Sequence, residues 1–487
     1  MIEKHTEFAH DLILPKVLTG LWQIADMEKD GKLLNPIATA PAMADYVAAG
    51  LYGFDMADHY GSAEVIAGTF RKTHPLGTKT KLLTKWVPKP GHASREATRA
   101  AVELAMERLQ VEQIDLMQFH AWHYPDPSWL DQLFWLQEMK EEGAIAHLGL
   151  TNFDAAHLRI ACASGIKIVS NQVCHSLLDQ RASGQMQEVC TTYGVKLLAF
   201  GTLAGGFLTD KWLGKPEPRL DDNLNWSQMK YLRFVQTAGG WEQLQQLLQT
   251  LKKIADSLKV SIANVATRYI MEQEYVGSII IGARLNESAH IEDTLKLFDF
   301  SLSQDQRTMI KDAQQQLNPI PGDCGDEYRK PPFLTASGDL SHHLDELPKP
   351  YSVQQGANGS QLVLSGTSWE SLAGYSRAIR KGNRIWVSGT TATHGAKIIG
   401  GDDPAAQTHF IIDKIEAAIT SLGGSLKDIV RTRIFVHDMK DWEAVARAHG
   451  HRFADILPAN TLVEAKLVGE GYKVEIEAEA EVIDAAS

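Results

Sequence analysis

Short apolar runs alternate with stretches of helical period through roughly the first 300 residues. The runs are Val17–Trp22, Gly53–Ala57, Lys81–Lys85, Leu116–His120, Ala146–Leu150, Ile168–Val173, Lys196–Gly201 and Ser278–Ile281. Helical stretches such as Ser94–Leu109 and Leu133–Glu142 fall between them, which is the βα signature of a parallel sheet. Eight strands predict an α/β fold closed into a (β/α)8 TIM barrel. An open doubly wound sheet is the competitor, but no strand leads into Gly-x-Gly-x-x-Gly, the turn with which such sheets cradle a pyrophosphate.

The segment Gln243–Lys259 places Leu244, Leu247, Leu248, Leu251, Ile254, Ala255 and Leu258 on one helical face, which is ordinary core packing. Periodicity then fails between about 318 and 364, where Pro319, Pro321, Pro331, Pro332, Pro348 and Pro350 cluster with Gly and Ser. The expected domains are therefore a barrel over 1–318, a linker over 319–364 and a smaller α+β domain over 365–487. In that last domain the expected order is a strand Arg384–Ser388, a helix Ala405–Leu422, a strand Val430–Val436, a helix Trp442–Ile456 and strands Thr461–Lys466 and Lys473–Ile483. The final strand alternates Val474, Ile476, Ala478, Ala480 and Val482 with four glutamates, a half-buried antiparallel pattern.

The chain of 487 residues has 44% hydrophobic and 22% charged residues, an ordinary globular balance that suggests neither disorder nor a fibrous repeat and leaves room for more than one core. Its net charge of −12 argues against a nucleic-acid or acidic-membrane partner. Cys162, Cys174, Cys190 and Cys324 form no CxxC pair and read as reduced packing residues. The polar N-terminus lacks a secretory apolar region and no long apolar run occurs, so a cytoplasmic setting without membrane contact is expected. His120-x-x-His123, His342-His343 and His449-Gly-His451 lack companion ligands at metal spacing, so no metal is expected.

Four chemistry-bearing residues, Asp55, Tyr60, Lys85 and His120, stand at or just past the ends of successive strands, and strand ends of a barrel share one mouth. Reducing a carbonyl leaves negative charge on its oxygen, so the site needs a donor and a proton there. Tyr60 is the candidate acid, with Lys85 expected to draw its pKa down, Asp55 to hold the lysine and His120 to orient the substrate oxygen or share in proton transfer. Singly, each has an ordinary reading as a capping or core residue; their common placement is what carries the chemistry.

Between Leu18 and Asp299 the chain resembles the aldo-keto reductase family of NAD(P)H-dependent oxidoreductases. The resemblance rests on Phe54-Asp-Met-Ala-Asp-His-Tyr-Gly61 with Glu64, Leu83-Thr-Lys-Trp86, Ile114-Asp-Leu-Met-Gln-Phe-His120, Leu148-Gly-Leu-Thr-Asn-Phe153 and Asn171-Gln172. It implies that Asp55, Tyr60, Lys85 and His120 form the catalytic tetrad, that Thr151, Asn152 and Gln172 hold the nicotinamide carboxamide, and that Phe200 stacks on its ring. It further implies phosphate-binding backbone at Leu203 and Gly205 and at Gly282, with Arg284 meeting a 2′-phosphate and so favouring NADPH over NADH, and Asp293 near adenine. Thr294 stands where the family commonly has asparagine. Trp22, Trp86 and Trp122 are candidate pocket walls or barrel packing, and Asp26–Met43 is a long charged segment able to shape the pocket.

The C-terminal domain resembles the RidA/YjgF family through Gly374-Tyr-Ser-Arg-Ala378, Trp386-Val-Ser-Gly389, Gln407, Arg431–Asp438, Pro458-Ala-Asn-Thr461 and Val474-Glu-Ile-Glu-Ala478. Its enzymatic members hydrolyse imines at trimer interfaces with an arginine that clamps the substrate carboxylate; here that position is Asn460, while Tyr375, Ser388 and Glu475 match ligand-site residues. The resemblance implies a homotrimer through this domain and argues against amino-acid-imine hydrolysis. The leading expectation is an NADPH-dependent reductase of an aldehyde, ketone or sugar carbonyl, or the reverse oxidation, with a small-molecule substrate. The alternatives are an NADPH-binding sensor or scaffold with little turnover, and a bifunctional reductase plus imine or enamine hydrolase.

Overall fold

The computed structural model describes residues 3–25, 34–90, 94–219, 224–285, 290–336 and 338–482. The chain divides into two compact units, the first comprising Met1–Trp122, Phe134–Ala155 and Lys167–Leu344, the second His123–Leu133, Ala156–Ile166 and Asp345–Ser487.

The first unit is a closed barrel of eight parallel strands. They are β1 (Val17–Gly20), β2 (Gly53–Asp55), β3 (Lys81–Trp86), β4 (Ile114–Phe119), β5 (Ile145–Thr151), β6 (Ile168–Cys174), β7 (Lys196–Phe200) and β8 (Val276–Gly282), each within two residues of its expected ends. They read as apolar runs because nearly every strand residue is buried on both faces. A hairpin, His5–Ala9 with Leu12–Pro15, precedes β1. Its Phe8, Leu12 and Leu14 pack with Leu18, Leu83, Leu116 and Leu198, and Thr6 Oγ1 donates to Gly277 O at 2.6 Å, so it closes the end where the strands begin. The opposite end, with its loops, is left for chemistry.

The stretch expected as a linker differs. Cys324, Glu327, Arg329, Leu334, Thr335 and Leu340 are buried within the first unit, and Asp326–Arg329 forms a helical turn. Arg181 binds both Asp179 (2.7 Å) and Glu327 (2.9 Å) in this region. Charged residues buried by pairing leave no apolar period in the sequence, which is why prolines alone marked the segment.

The second unit is α+β. Strands β9 (Val353–Gln355), β10 (Gln361–Val363), β11 (Ala378–Lys381), β12 (Arg384–Thr390), β13 (Ile429–Val436), β14 (Ala459–Glu464) and β15 (Val474–Glu481) lie in the order β9-β10-β11-β12-β15-β13-β14. Only β13 and β14 pair in parallel. The helix Pro404–Ser421 starts where Asp403 accepts from the backbone of Ala405 and Ala406, with proline at its first position. On β15 Val474, Ile476, Ala478 and Ala480 are buried, while Arg433 of β13 pairs with Glu477 and Glu479 on the other face. Among the described residues no helix is long and apolar enough to cross a membrane.

Candidate active site

Asp55 ends β2, Lys85 lies near the end of β3 and His120 follows β4, so in-register parallel pairing brings all three to the barrel mouth. Lys85 Nζ donates to Asp55 Oδ2 and to Met56 O, both at 2.7 Å, and the pair is almost fully buried. The second carboxylate oxygen of Asp55 accepts from Gln172 Nε2 at 2.7 Å and Gln118 Nε2 at 3.1 Å. A buried carboxylate held by an ammonium and two amides is fixed in place. Burial draws the Lys85 ammonium below its usual value, and Asp55 opposes that pull.

Tyr60 lies in the turn after β2, its ring centroid 5.0 Å from Lys85 Nζ and 5.0 Å from the Trp22 ring. Lys85 was expected to draw its pKa down. Instead burial, and next the Asp55 charge, push the phenol well above its ordinary value. The lysine charge is matched by Asp55 and so does little for the phenol, which stays protonated and able to act as an acid.

His120 Nδ1 lies 3.3 Å from Thr151 O, which can only accept, so Nδ1 carries the proton and Nε2 a lone pair. That Nε2 is buried and has no hydrogen-bond partner. Burial and then the Arg329 cation hold the imidazole well below its usual pKa, so it is neutral.

The expected cofactor residues gather at the same mouth in unequal states. Thr151 Oγ1 donates to Gln172 O at 3.3 Å, and the Gln172 amide is occupied by Asp55 and by Gln118 Oε1 at 2.9 Å. Asn152 takes left-handed backbone (φ 57°) and its Oδ1 is buried without a partner, an acceptor suited to a carboxamide N–H. Phe200 ends β7, and beyond it Leu203 precedes Gly205, whose φ of 66° needs glycine. Gly282 ends β8, and the exposed Arg284 donates from Nε to Gln23 Oε1 at 3.0 Å. Asp293 is held by Asn264 Nδ2 at 2.8 Å and Lys296 at 3.3 Å. Of the Asp26–Met43 segment, residues 26–33 lie outside the described residues.

Among the tryptophans, Trp22 meets Tyr60 edge-on and Trp122 meets His120 edge-on with centroids 4.4 Å apart, while Trp86 is buried against Phe119. Sequence reasoning missed a further group. Arg329 donates from Nε to Ala121 O (2.7 Å) and from Nη1 to Asn152 O (2.6 Å), pinning the chain just past His120 and at the Asn152 turn. Gly325 lies so close that a Cβ there would run into Asn152 O. Lys230, on the helix Trp226–Thr237, donates to Tyr328 Oη at 2.7 Å and lies 5.1 Å from the Phe200 centroid. The one available signal was the charged cluster Asp326-Glu-Tyr-Arg329 inside a supposed linker.

In the second unit Tyr375, Ser388 and Glu475 are brought together around Arg377. Its Nη1 donates to Ser388 O, Gly389 O and Thr390 Oγ1, and its Nη2 to Tyr375 Oη at 3.2 Å. Glu475 lies against Gly389, and burial raises its carboxyl pKa while Arg377 lowers it. Asn460 is elsewhere, exposed on the edge strand β14, where its Nδ2 donates to Thr432 Oγ1 at 2.9 Å. Among the described residues no group of three His, Cys, Asp or Glu side chains is placed to hold a metal.

Comparison with known proteins agrees with this division. The aldo/keto reductase family model matches residues 16–315, and the model described as endoribonuclease L-PSP matches residues 366–482. A Mycobacterium aldo-keto reductase is 27% identical over 314 residues, 63% of this chain and 93% of its own length. The flagellar radial spoke protein 5 of Chlamydomonas reinhardtii is 30% identical over 255 residues, 44% of this chain but only 48% of that protein. The solved structure of a glycerol dehydrogenase from Gluconobacter oxydans shares the fold at 20% identity, with a TM-score of 0.53 over 66% of this chain and 98% of its own. The buried Asp55–Lys85 pair beside Tyr60, set at the mouth of a parallel barrel that the family model spans, places this chain in the aldo/keto reductase family of NAD(P)H-dependent oxidoreductases, with a RidA/YjgF-type domain at its C-terminal end.

Proposed function

We propose that the barrel reduces the carbonyl of an aldehyde, ketone or sugar with NADPH, or oxidises the corresponding alcohol, with Tyr60 as the general acid/base. The observation that carries this reading is a protonated, half-buried phenol whose ring centroid lies 5.0 Å from the ammonium of the fixed Lys85–Asp55 pair. NADPH would supply the hydride. As charge develops on the substrate oxygen, Tyr60 gives up its proton, and the phenolate left behind lies near the Lys85 cation, which turns from spectator to stabiliser at that moment. The residues present fit the cofactor: the unpartnered Asn152 Oδ1 suits a carboxamide N–H, the Leu203–Gly205 backbone a pyrophosphate and the exposed Arg284 a 2′-phosphate.

For the second unit we propose ligand binding or assembly as a homotrimer in place of amino-acid-imine hydrolysis. An amide at 460 cannot grip a carboxylate bidentately, and the Arg377 guanidinium is committed to backbone carbonyls and Tyr375. Trp386, Val430 and Val463 leave apolar surface exposed on β12, β13 and β14, suited to a second copy.

Fluorescence titration of the full chain with NADPH and NADH, followed by NADPH oxidation against a carbonyl panel, tests the reading. Tighter NADPH binding and turnover are expected. Binding without turnover on any carbonyl would instead favour the sensor reading, and tighter NADH binding would remove the role given to Arg284. Light scattering should give a mass of three chains, and imino acids should release no ammonia.

A further inference from the structure

The barrel mouth holds a second phenol–ammonium pair that the proposed reaction does not use. Lys230 is 9% exposed and lies among the rings of Phe200, Tyr231, Phe234 and Tyr328, at 5.1, 5.3, 5.7 and 4.5 Å from their centroids. Burial disfavours its charge, but Tyr328 and Glu327 outweigh that and raise its pKa to about 12, so it is an ammonium. An ammonium can only donate, so Tyr328 Oη accepts the 2.7 Å hydrogen bond from Lys230 and keeps its own proton to give. The cation polarises that O–H and makes it a stronger donor.

Tyr328 is close to the reacting centre. Its ring centroid lies 6.3 Å from that of His120. His120, 2% exposed, has a buried Nε2 lone pair without a partner. The mouth therefore contains two phenol donors and one imidazole acceptor. A simple carbonyl has acceptor lone pairs for the phenols but no donor, so it leaves the His120 Nε2 acceptor unmet. A hydroxyl on the neighbouring carbon can accept from one group and donate to another at once.

We propose that Tyr328, held by Lys230, selects carbonyl substrates bearing a hydroxyl on the adjacent carbon: that hydroxyl accepts from Tyr328 and donates to His120 Nε2, while the carbonyl oxygen faces Tyr60. The inference rests on the reductase reading above and narrows its substrate class. Tyr328 is a specificity residue that touches substrate, and Lys230 is a positioning residue acting through it. The segment that supplies Tyr328 lies beyond the eighth strand and is anchored by Arg329 to Ala121 O and Asn152 O, so the selecting phenol is tied to the strand ends that carry His120 and Asn152.

Glyceraldehyde and propanal differ only in hydroxyl groups and serve as the matched probes, with NADPH and the full-length chain. Wild-type protein is expected to favour glyceraldehyde by about tenfold in kcat/KM, the value of one charge-assisted hydrogen bond. Tyr328→Phe should lower kcat/KM for glyceraldehyde by about tenfold, through KM, and change propanal by less than about twofold. Lys230→Met should move selectivity the same way, and Lys230→Arg, which can still donate to the phenol, should restore much of it. The absence of a wild-type preference, or equal losses on both aldehydes in Tyr328→Phe, would overturn the proposal while leaving the reductase reading intact. Reduction of neither aldehyde nor of any other carbonyl would remove both; the wild-type comparison stands even if the variants fold poorly.

Discussion

The two candidate sites of this chain contain similar ingredients and arrange them differently. At the barrel mouth, residues as far apart in sequence as Asp55 and Gln172 meet within 2.7 Å, because all eight strands of a closed parallel sheet end at one rim. In the open sheet of the second unit, Tyr375, Ser388 and Glu475 gather around Arg377, but Asn460 sits on the edge strand two places beyond the strand that carries Glu475. The barrel's cation is balanced by a carboxylate beside a phenol that can release a proton. The sheet's guanidinium is also paired with a carboxylate, Glu370 at 3.5 Å, and is held further by carbonyl oxygens and the Tyr375 phenol. Matching residue types thus meet in different arrangements according to how the strands converge.

Variants can break this contrast, the largest effect coming from the buried ion pair. Lys85→Met strands the Asp55 carboxylate in the interior and should cost about 3–5 kcal/mol of stability, measured by urea unfolding. NADPH oxidation should fall by about 10²–10⁴-fold. The double variant Lys85→Met/Asp55→Leu should regain stability and no activity, which separates the structural from the chemical role of the pair. In the second unit, Arg377→Ala leaves several buried acceptors unmet and should cost about 2–3 kcal/mol, yet change NADPH oxidation by the folded chain by less than about twofold. A large loss of turnover there would show that the two sites are not separate in function.

Arg329→Ala frees Ala121 O and Asn152 O and is expected to cost about 1–3 kcal/mol and to weaken NADPH binding in a fluorescence titration as the Asn152 turn loosens. The smallest effect is on pH dependence. Because the Tyr60 pKa is raised, the acid form persists as pH increases, so carbonyl reduction should stay level between about pH 6 and 9, while alcohol oxidation, which needs the phenolate, should climb with pH. A reduction rate falling through neutrality would place the acid elsewhere.

Much of the barrel was legible in the sequence because strands buried on both faces read as continuous apolar runs, and the tetrad residues stand at the ends of those runs. What stayed hidden depends on pairing across long separations. Lys230 finds Tyr328 98 residues away and Arg329 finds Asn152 177 residues away, contacts that leave no local period. Buried by hydrogen bonds and ion pairs, such residues resemble linker in composition. The direction of the Tyr60 shift was hidden for a related reason: whether a lysine acidifies a neighbouring phenol depends on what else neutralises the lysine, and Asp55 at 2.7 Å does so here. The N-terminal hairpin escaped notice because its short strands show little alternation, and Phe8 becomes core only once the barrel exists to receive it.

The central claim is that Tyr60 delivers the proton. It is tested most directly by single-turnover reduction of a carbonyl that the wild-type protein accepts, with NADPH bound to Tyr60→Phe. The account predicts cofactor affinity within about twofold of wild type and a hydride-transfer step slowed by about 10²–10⁴-fold. An unchanged rate in that variant would contradict it.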